Sequence, residues 1–215
     1  MLLTFDTSSP QVSVALHDGS DVIASGVSEQ PMKHGEQLMP LVEQVLARAG
    51  ALRHDLTAVG VGVGPGPFTG LRVGLVTART LAFVLELPVY GMCSLDVLAV
   101  QAVGEGLVAG PFAVATDARR REVYLARYDA DGVRIADPVV DRPAEFTEAL
   151  AGVPVVGEGA SLYPEALPGG IAPLRPDAGW LARAVAEELA ELRDPEPLYL
   201  RRPDAVAPGA RKQVS

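Results

Sequence analysis

The chain has 215 residues, 48% of them hydrophobic, with a formal net charge of −9 at pH 7 and a pI near 4.8. The acidic balance argues against a chain that grips a nucleic-acid backbone by itself, because that affinity comes from cationic side chains that neutralise phosphates. The single cysteine, Cys93, excludes an internal disulfide and a cysteine-based zinc cluster.

The first residues predict three antiparallel strands. Residues 2–6 form an apolar run that ends on Asp6, residues 12–17 alternate, and a turn at Asp18 leads into residues 22–24. The first bend, DTSSP, places a carboxylate and hydroxyls together, as sites for phosphate or a metal-bound water do. A hydrogen-bonded turn is the simpler alternative. No basic leader and no uninterrupted apolar run of membrane-spanning length is visible, so we expect a cytoplasmic protein that contacts no membrane.

An amphipathic helix is predicted next and ends at Gly50. Its apolar stripe consists of Leu38, Leu41, Val42, Val45, Leu46 and Ala49. We expect Pro40 in its first turn and His34 just before it, as a capping or surface residue. The three histidines show no metal-ligand spacing.

Residues 60–87 predict a strand, a glycine-proline turn at 64–67, and a helix that begins with Thr69 as its N-cap and continues to Pro88. Gly64, Gly66 and Gly70 would let backbone amides face an anion at the mouth of the loop. A tight turn that only closes the fold is the alternative.

The helix after this turn carries large apolar residues on all sides, so one side packs on the strand and the other needs a cover. Leaving four of them exposed would forgo about 6–12 kcal/mol. Small residues recur at every fourth position: Gly70, Gly74, Ala78 and Ala82. They form a smooth ridge on which a second helix could approach. Either another part of this chain or a partner protein covers the helix.

The second half repeats the opening pattern, which indicates a degraded internal duplication. A strand at 89–92 and a helix capped by Ser94 precede a glycine-rich segment at 104–111, where we place the domain boundary. Residues 112–116 then form a strand that reaches Asp117, an arginine turn follows, and residues 122–128 return. We predict a first subdomain over 1–104 and a second over 111–203.

The rest of the sequence predicts five further segments and a tail. They are a short helix over 142–150, a strand over 153–156, a loop over 157–160, a helix from Asp177 through Leu192, an extended segment over 197–201, and a frayed, disordered tail over 204–215. We expect Trp180 to pack the last helix against the core.

Five segments, in this order, resemble the dimerisation subunit of the bacterial tRNA threonylcarbamoyladenosine complex. They are FDTSSPQVSVAL (5–16), HGEQLMPLV (34–42), GVGPGPFTGLRVGL (62–75), DARRREVYLA (117–126) and PLYLRRP (197–203). The third and fourth segments are specific to this family, whereas the first segment occurs more widely among proteins of the same fold. The resemblance implies that α/β fold, the actin, sugar-kinase and Hsp70 ATPase-like one, with two subdomains of mixed sheet and a reduced second one.

The resemblance also implies a noncatalytic role, because two motifs of the catalytic relative are missing. The positions of its metal-binding histidine pair correspond here to Ser94 and Leu98, so we expect no metal. Its Gly-Gly phosphate turn is replaced by Asp117-Ala118-Arg119. The alternative is a small-molecule kinase or phosphotransferase of the same fold that uses Asp6 as base. A metalloprotease, suggested by an old family label, lacks paired histidines.

As a scaffold or activator, the chain would bind the threonylcarbamoyltransferase subunit, which has the same fold, or a second copy of itself, and would help to build the surface for an ATPase subunit. It would contact tRNA only through the complex, and ATP or ADP would bind only at the complex interface and not to this chain alone. The expected apolar interface is Leu38, Leu41, Val42, Val45, Gly70, Leu71, Gly74, Leu75, Ala78 and Ala82. The expected polar junction is Asp6, Thr7, Ser8, Gly64, Gly66, Thr69, Arg72, Asp117, Arg119 and Glu122.

Overall fold

The computed structural model describes residues 1–28 and 33–201, which form two mixed sheets and five α-helices. The first sheet contains β1 (Leu2–Asp6), β2 (Ser13–His17), β3 (Val22–Val27), β4 (Ala58–Gly62), β5 (Val89–Met92) and β11 (Leu192–Arg193). The second contains β6 (Phe112–Asp117), β7 (Val123–Tyr128), β8 (Val139–Asp141), β9 (Val155–Val156) and β10 (Gly170–Ile171). The helices are α1 (His34–Ala49), α2 (Phe68–Leu85), α3 (Ser94–Gly104), α4 (Glu158–Leu162) and α5 (Ala178–Ala186). Short 3-10 helices span Arg53–Asp55 and Pro143–Phe146.

The two sheets follow one plan. In the first, ordered β11-β5-β4-β1-β2-β3, strands β1 to β3 form an antiparallel meander, and β4 and β5 run parallel to β1. In the second, ordered β10-β9-β6-β7-β8, strands β6 to β8 form the meander, and β9 and β10 run parallel to β6. This repeated topology confirms the predicted fold class, the actin, sugar-kinase and Hsp70 ATPase-like one.

The last described helix and strand, α5 and β11, return to the first sheet, although they lie within the predicted second subdomain of residues 111–203. Strand β11 pairs antiparallel with β5, and α5 packs on β1 and β2. Helix α3 lies between the two sheets: Leu98 belongs to the apolar cluster of the second sheet, whereas Val97 packs with Leu181 of α5. The two halves therefore share α3 as a common layer.

The starts of three helices differ from the predictions. Helix α1 begins at His34, which is buried, so Pro40 lies inside the helix rather than in its first turn. Helix α2 has Pro67 at its N-cap position, and Thr69 is a helical residue whose side chain makes no capping hydrogen bond. Helix α3 likewise has Cys93 at the N-cap position, and Ser94 is its first residue. In each case the helix starts earlier than the capping pattern indicated.

Several later elements are shorter than predicted or different. Residues 157–160 belong largely to α4 rather than to a loop, and the strand near 153–156 is β9 alone. Asp177 caps α5 as expected, but the helix ends at Ala186 and Glu188 adopts a positive φ of 53°, so Leu192 lies in β11. The segment predicted as a helix over 142–150 contains only a short 3-10 helix, and residues 197–201 form no strand. The predicted disordered tail, 204–215, lies outside the described residues.

Candidate functional site

Both oxygens of the Asp6 carboxylate accept hydrogen bonds from the chain itself. Its Oδ1 accepts hydrogen bonds from the Ser8 amide (2.7 Å) and the Ser8 hydroxyl (2.6 Å). Its Oδ2 accepts one from the Ser94 hydroxyl (2.6 Å). Burial raises the pKa of Asp6 above its ordinary value, against the lowering effect of these hydrogen bonds. The arrangement joins the end of β1 to the start of α3.

The glycines of the loop serve close packing. A Cβ on Gly66 would stand 2.5 Å from the Ser8 carbonyl oxygen, and one on Gly70 would stand 2.5 Å from that of Thr7. The Gly64 amide donates to the Ser94 hydroxyl (3.2 Å) rather than facing outward. The geometry therefore favours the tight-turn alternative over an anion-binding loop.

The ridge of small residues on α2 faces the chain's own first bend. Thr7 donates from Oγ1 to the Gly70 carbonyl oxygen (2.8 Å), and a Cβ on Gly74 would stand 2.3 Å from Thr7 Oγ1. Because Gly has no side chain, α2 can lie this close to the loop after β1. The ridge is thus an internal contact and not a surface for a second protein.

This placement corrects the choice of interface residues. All ten residues expected at the apolar interface are buried within the chain: Leu38, Leu41, Val42, Val45, Gly70, Leu71, Gly74, Leu75, Ala78 and Ala82. Those on α1 join the core of the first sheet with Leu71 and Leu75. The inward faces of α1 and α2 pack against the sheet, so these ten residues belong to the interior of this chain.

The opposite face of α2 is the exposed one. Phe83 is 84% exposed and Val76 is 62% exposed, which is unusual for large apolar side chains on one helix. With Pro197 and Tyr199 these residues line an open, mostly apolar groove; we call this set of four residues the α2 groove. By length and composition alone α2 could cross a membrane, as the core helix of a globular protein also can.

Aromatic and charged contacts tie the end of the described chain to α2. The rings of Phe68 and Tyr199 stack with their centroids 5.2 Å apart. The guanidinium of Arg72 lies 3.7 Å from the Phe68 ring centroid, and its Nε donates to the Tyr199 hydroxyl (3.2 Å). Arg79 pairs with Glu196 at 2.7 Å. These contacts fix one wall of the α2 groove.

The expected polar junction is divided among three places. Asp6, Thr7 and Ser8 lie buried at the first bend, whereas Asp117 and Arg119 lie at the end of the second sheet. Ser8, Asp117 and Arg119 line one cleft between the two halves, and that cleft admits about one water molecule. Thr69 and Arg72 are exposed on α2, away from the cleft lining.

The arginine turn after β6 has an uncommon backbone. Arg119, Arg120 and Arg121 have φ values of 61°, 54° and 62°, a region that non-glycine residues rarely adopt. The Arg119 amide donates to Asp117 Oδ1 (2.8 Å), and the Glu122 amide donates to the Arg119 carbonyl (3.0 Å). Glu122 forms an ion pair with Arg201. Asp117 and Glu122 thus hold the turn from both ends.

Sequence reasoning missed part of the α2 groove. It placed large apolar residues on all sides of α2 without singling out Phe83 or Val76, and it did not place Tyr199 beside them. The sequence signal for Tyr199 was an aromatic side chain in a short segment that begins with Pro197 and has no predicted strand partner. Within residues 1–28 and 33–201, no three His, Cys, Asp or Glu side chains are grouped so that they could hold a metal ion.

Comparison with known proteins places this geometry in a family. The family model described as TsaD, tRNA N6-adenosine threonylcarbamoyltransferase, matches residues 25–166. An uncharacterized protein of Mycobacterium tuberculosis is 43% identical over 95% of this chain and 93% of its own length. The Escherichia coli protein named tRNA threonylcarbamoyladenosine biosynthesis protein TsaB is 36% identical over 60% of this chain and 55% of its own length.

A solved structure covers the chain more fully. YeaZ from Pseudomonas aeruginosa superimposes with a TM-score of 0.75 at 31% identity, over 93% of this chain and 99% of that one. A second structure from the same organism, described as an uncharacterized protein with similarity to peptidase YEAZ, gives a TM-score of 0.76 at 32% identity, with the same coverage. The chain belongs to the family of the TsaD model, as a TsaB/YeaZ-type protein.

Proposed function

We propose that this chain is a noncatalytic scaffold or activator subunit in tRNA N6-threonylcarbamoyladenosine biosynthesis, the modification of the adenosine adjoining the anticodon. The TsaB name of its relatives supports the pathway. The observation that carries the role is the exposed apolar face of α2, with Phe83 84% exposed and Val76 62% exposed. A groove of this kind is typical of a surface that a partner covers.

The energetics favour a protein partner for the α2 groove. Burying Phe83 and Val76 together contributes about 3–6 kcal/mol, which offsets part of the entropy cost of association, about 4–15 kcal/mol. The partner that we propose is the threonylcarbamoyltransferase subunit of the same fold, with a second copy of this chain as the competing occupant. Arg72 and Arg79 at the groove provide polar contacts around an apolar centre.

The other partners follow from this arrangement. Asp117, Arg119 and Glu122 lie at the end of the second sheet, and we propose that this end helps to form the surface for the ATPase subunit. ATP or ADP would then bind at the junction between subunits. tRNA would reach the chain only through the complex, in the cytoplasm, because the net charge of −9 disfavours direct phosphate contacts.

The first bend supports a noncatalytic role over the kinase alternative. A general base must lie within hydrogen-bond reach of its substrate, whereas the Asp6 side chain is buried and its carboxylate already accepts three hydrogen bonds, from Ser8 and Ser94. The cleft above it admits about one water molecule, far less than a nucleotide needs. A kinase of this fold should bind ATP with magnesium by itself, so isothermal titration of the isolated chain with Mg-ATP separates the two functions.

The direct test is reconstitution with Phe83→Glu. The chain is combined with the transferase and ATPase subunits, threonylcarbamoyl adenylate and unmodified tRNA, and modified adenosine is counted. We expect the wild-type chain to be required and Phe83→Glu to lose both complex formation and modification. Leu162→Glu, on an exposed residue of α4, is the matched control and should support both. Equal modification without the chain would overturn the proposal.

A further inference from the structure

Two arginine-centred contacts connect the two halves of the molecule at separate places. The first, which we call the Arg134 cluster, consists of Asp96, Tyr128, Arg134 and Glu191. Asp96 lies on α3, Tyr128 ends β7 of the second sheet, and Glu191 precedes β11 of the first sheet. Arg134 follows β7 and reaches both acidic residues. The cluster therefore joins both sheets to the shared helix.

The Arg134 cluster is sheltered from solvent at its Asp96 end and open to solvent at Glu191, whose side chain is 58% exposed. Arg134 donates from Nη1 to Asp96 Oδ2 (2.6 Å) and from Nη2 to Glu191 Oε2 (2.9 Å). The Tyr128 hydroxyl donates to Asp96 Oδ1 (2.7 Å). The side chain of Arg134 is 12% exposed and that of Asp96 is 5% exposed. A movement of the second sheet away from α3 would leave the buried Asp96 carboxylate without its partner, which is strongly unfavourable, whereas loss of the exposed Glu191 contact alone would cost little.

The second contact, the Arg175 bridge, spans the cleft. Arg175 donates from Nε to Glu158 Oε2 (2.9 Å), at the start of α4 beside the second sheet. It donates from Nη1 to Gln11 Oε1 (2.7 Å), in the bend between β1 and β2 of the first sheet. Glu158 and Arg175 both line the cleft, which admits about one water molecule. One guanidinium thus holds the two walls together.

We propose that the Arg134 cluster and the Arg175 bridge act together as a built-in clamp that keeps the cleft closed in the absence of any ligand. Arg175 aims two donors at different halves, and Arg134, which follows β7 of the second sheet, aims its donors at α3 and at the segment before β11 of the first sheet. A planar guanidinium with two donors fixes both distance and orientation. The chain then holds its two sheets as one rigid body. This inference concerns the chain itself and does not depend on the proposed function.

The clamp can be tested by measuring a distance across the cleft. Spin labels on Leu52→Cys, after α1, and Leu162→Cys, on α4, mark the two halves at exposed positions. The native Cys93 is buried, and burial raises the pKa of its thiol to about 12, so it does not take up label. Pulsed electron–electron double resonance then gives the distribution of distances between the two spin labels.

We expect one narrow distance distribution for the doubly labelled protein, unchanged by Mg-ATP. Adding Arg134→Met and Arg175→Met should broaden it and extend it to longer distances. Arg183→Met is the matched control: it removes an exposed ion pair to Asp21 on the first-sheet side, and it should leave the distribution narrow. A broad wild-type distribution, or one that Mg-ATP shifts, would overturn the proposal.

Folding is checked on each variant by circular dichroism and thermal unfolding. If the double arginine variant is folded and its distance distribution is as narrow as that of the wild type, apolar packing alone fixes the two halves, and the clamp proposal is wrong. If that variant does not fold, Arg175→Met and Tyr128→Phe are measured singly, since the first side chain is 39% exposed and the second change removes one hydroxyl. Broadening in either supports the clamp, and broadening in neither overturns it.

Discussion

The Ser94 hydroxyl donates a 2.6 Å hydrogen bond to Asp6 Oδ2, which joins two residues 88 positions apart at the point where β1, the glycine loop and α3 meet. The same hydroxyl accepts a hydrogen bond from the Gly64 amide. Asp6 looked like a catalytic candidate because a carboxylate after a strand often faces a substrate. In this chain its oxygens hold three segments of the fold together instead.

Replacing Ser94 by Ala should therefore destabilise the fold. The buried Asp6 side chain would lose one hydrogen-bond donor to its Oδ2, and such a loss costs about 1–3 kcal/mol of unfolding free energy. The measurement is urea denaturation at neutral pH. Ser20→Ala, in the exposed turn after β2, is the control and should change the unfolding free energy by less than about 0.5 kcal/mol. Similar values for the two variants would contradict the structural role of Ser94.

The pH dependence of stability should reveal the buried state of Asp6. Burial raises its pKa in the folded protein above the ordinary 3.8. Below pH 3.8 the Asp6 carboxyl is protonated in both the folded and the unfolded state, so its burial does not lower the unfolding free energy. As the pH rises through the folded pKa, ionisation is less favourable in the folded state than in the unfolded state, so the unfolding free energy falls.

Asp6→Asn removes this titration and supplies the comparison. The unfolding free energy of wild type minus that of Asp6→Asn should be most favourable to wild type at acidic pH and should decrease toward neutral pH. Urea denaturation of both proteins at several pH values gives the difference. A difference that grows with pH would mean that the hydrogen bonds from Ser8 and Ser94 outweigh burial and that the folded pKa is lowered.

The sequence was sufficient for most of the strands but not for the direction in which α2 faces. Apolar runs and alternating patterns predicted β1 to β3, β6 and β7, because strand periodicity is a local property, whereas the short strands β8, β10 and β11 are absent from the prediction. The sequence pattern of small residues that includes Gly70 and Gly74 is the same whether this side of the helix contacts a partner helix or the chain's own loop. Only the position of Thr7, some sixty residues earlier, decides this, and no local pattern contains it. The inter-sheet contacts of Arg134 and Arg175 are equally nonlocal.

Gly74→Ala tests that direction. The new Cβ would stand 2.3 Å from Thr7 Oγ1, so the loop must shift, and overpacking of this kind costs about 1–3 kcal/mol. Gly35→Ala is the control within α1: its Cβ meets nothing within 4 Å, and Ala favours a helix by up to about 1 kcal/mol. Thermal unfolding should therefore show opposite shifts. A stable Gly74→Ala protein that fails to bind its partner would restore the ridge as an interface.

The two predicted N-cap residues differ in outcome: Asp177 caps α5, whereas Thr69 does not cap α2. Asp177 accepts hydrogen bonds from the amides of Gly179 (2.9 Å) and Trp180 (3.1 Å), so Asp177→Ala should lower the unfolding free energy by about 0.5–2 kcal/mol. Thr69 makes no capping hydrogen bond to α2, and Thr69→Ala should be nearly neutral. Urea denaturation compares the two. An equal loss for Thr69→Ala would indicate that it caps α2 in solution.

The arginine turn should carry measurable backbone strain. Arg121 has a φ of 62° and an exposed side chain, and this conformation costs a non-glycine residue about 1–2 kcal/mol. Glycine adopts it freely, so Arg121→Gly should raise the unfolding free energy by up to about 1 kcal/mol after the entropy that glycine adds to the unfolded chain. Arg127→Gly, at an exposed position of β7, should lower it by about 0.5–1 kcal/mol, because a strand gains nothing from glycine. Opposite signs in thermal unfolding would show that the turn is strained; a loss in both variants would show that the Arg121 side chain stabilises the turn by more than the strain costs.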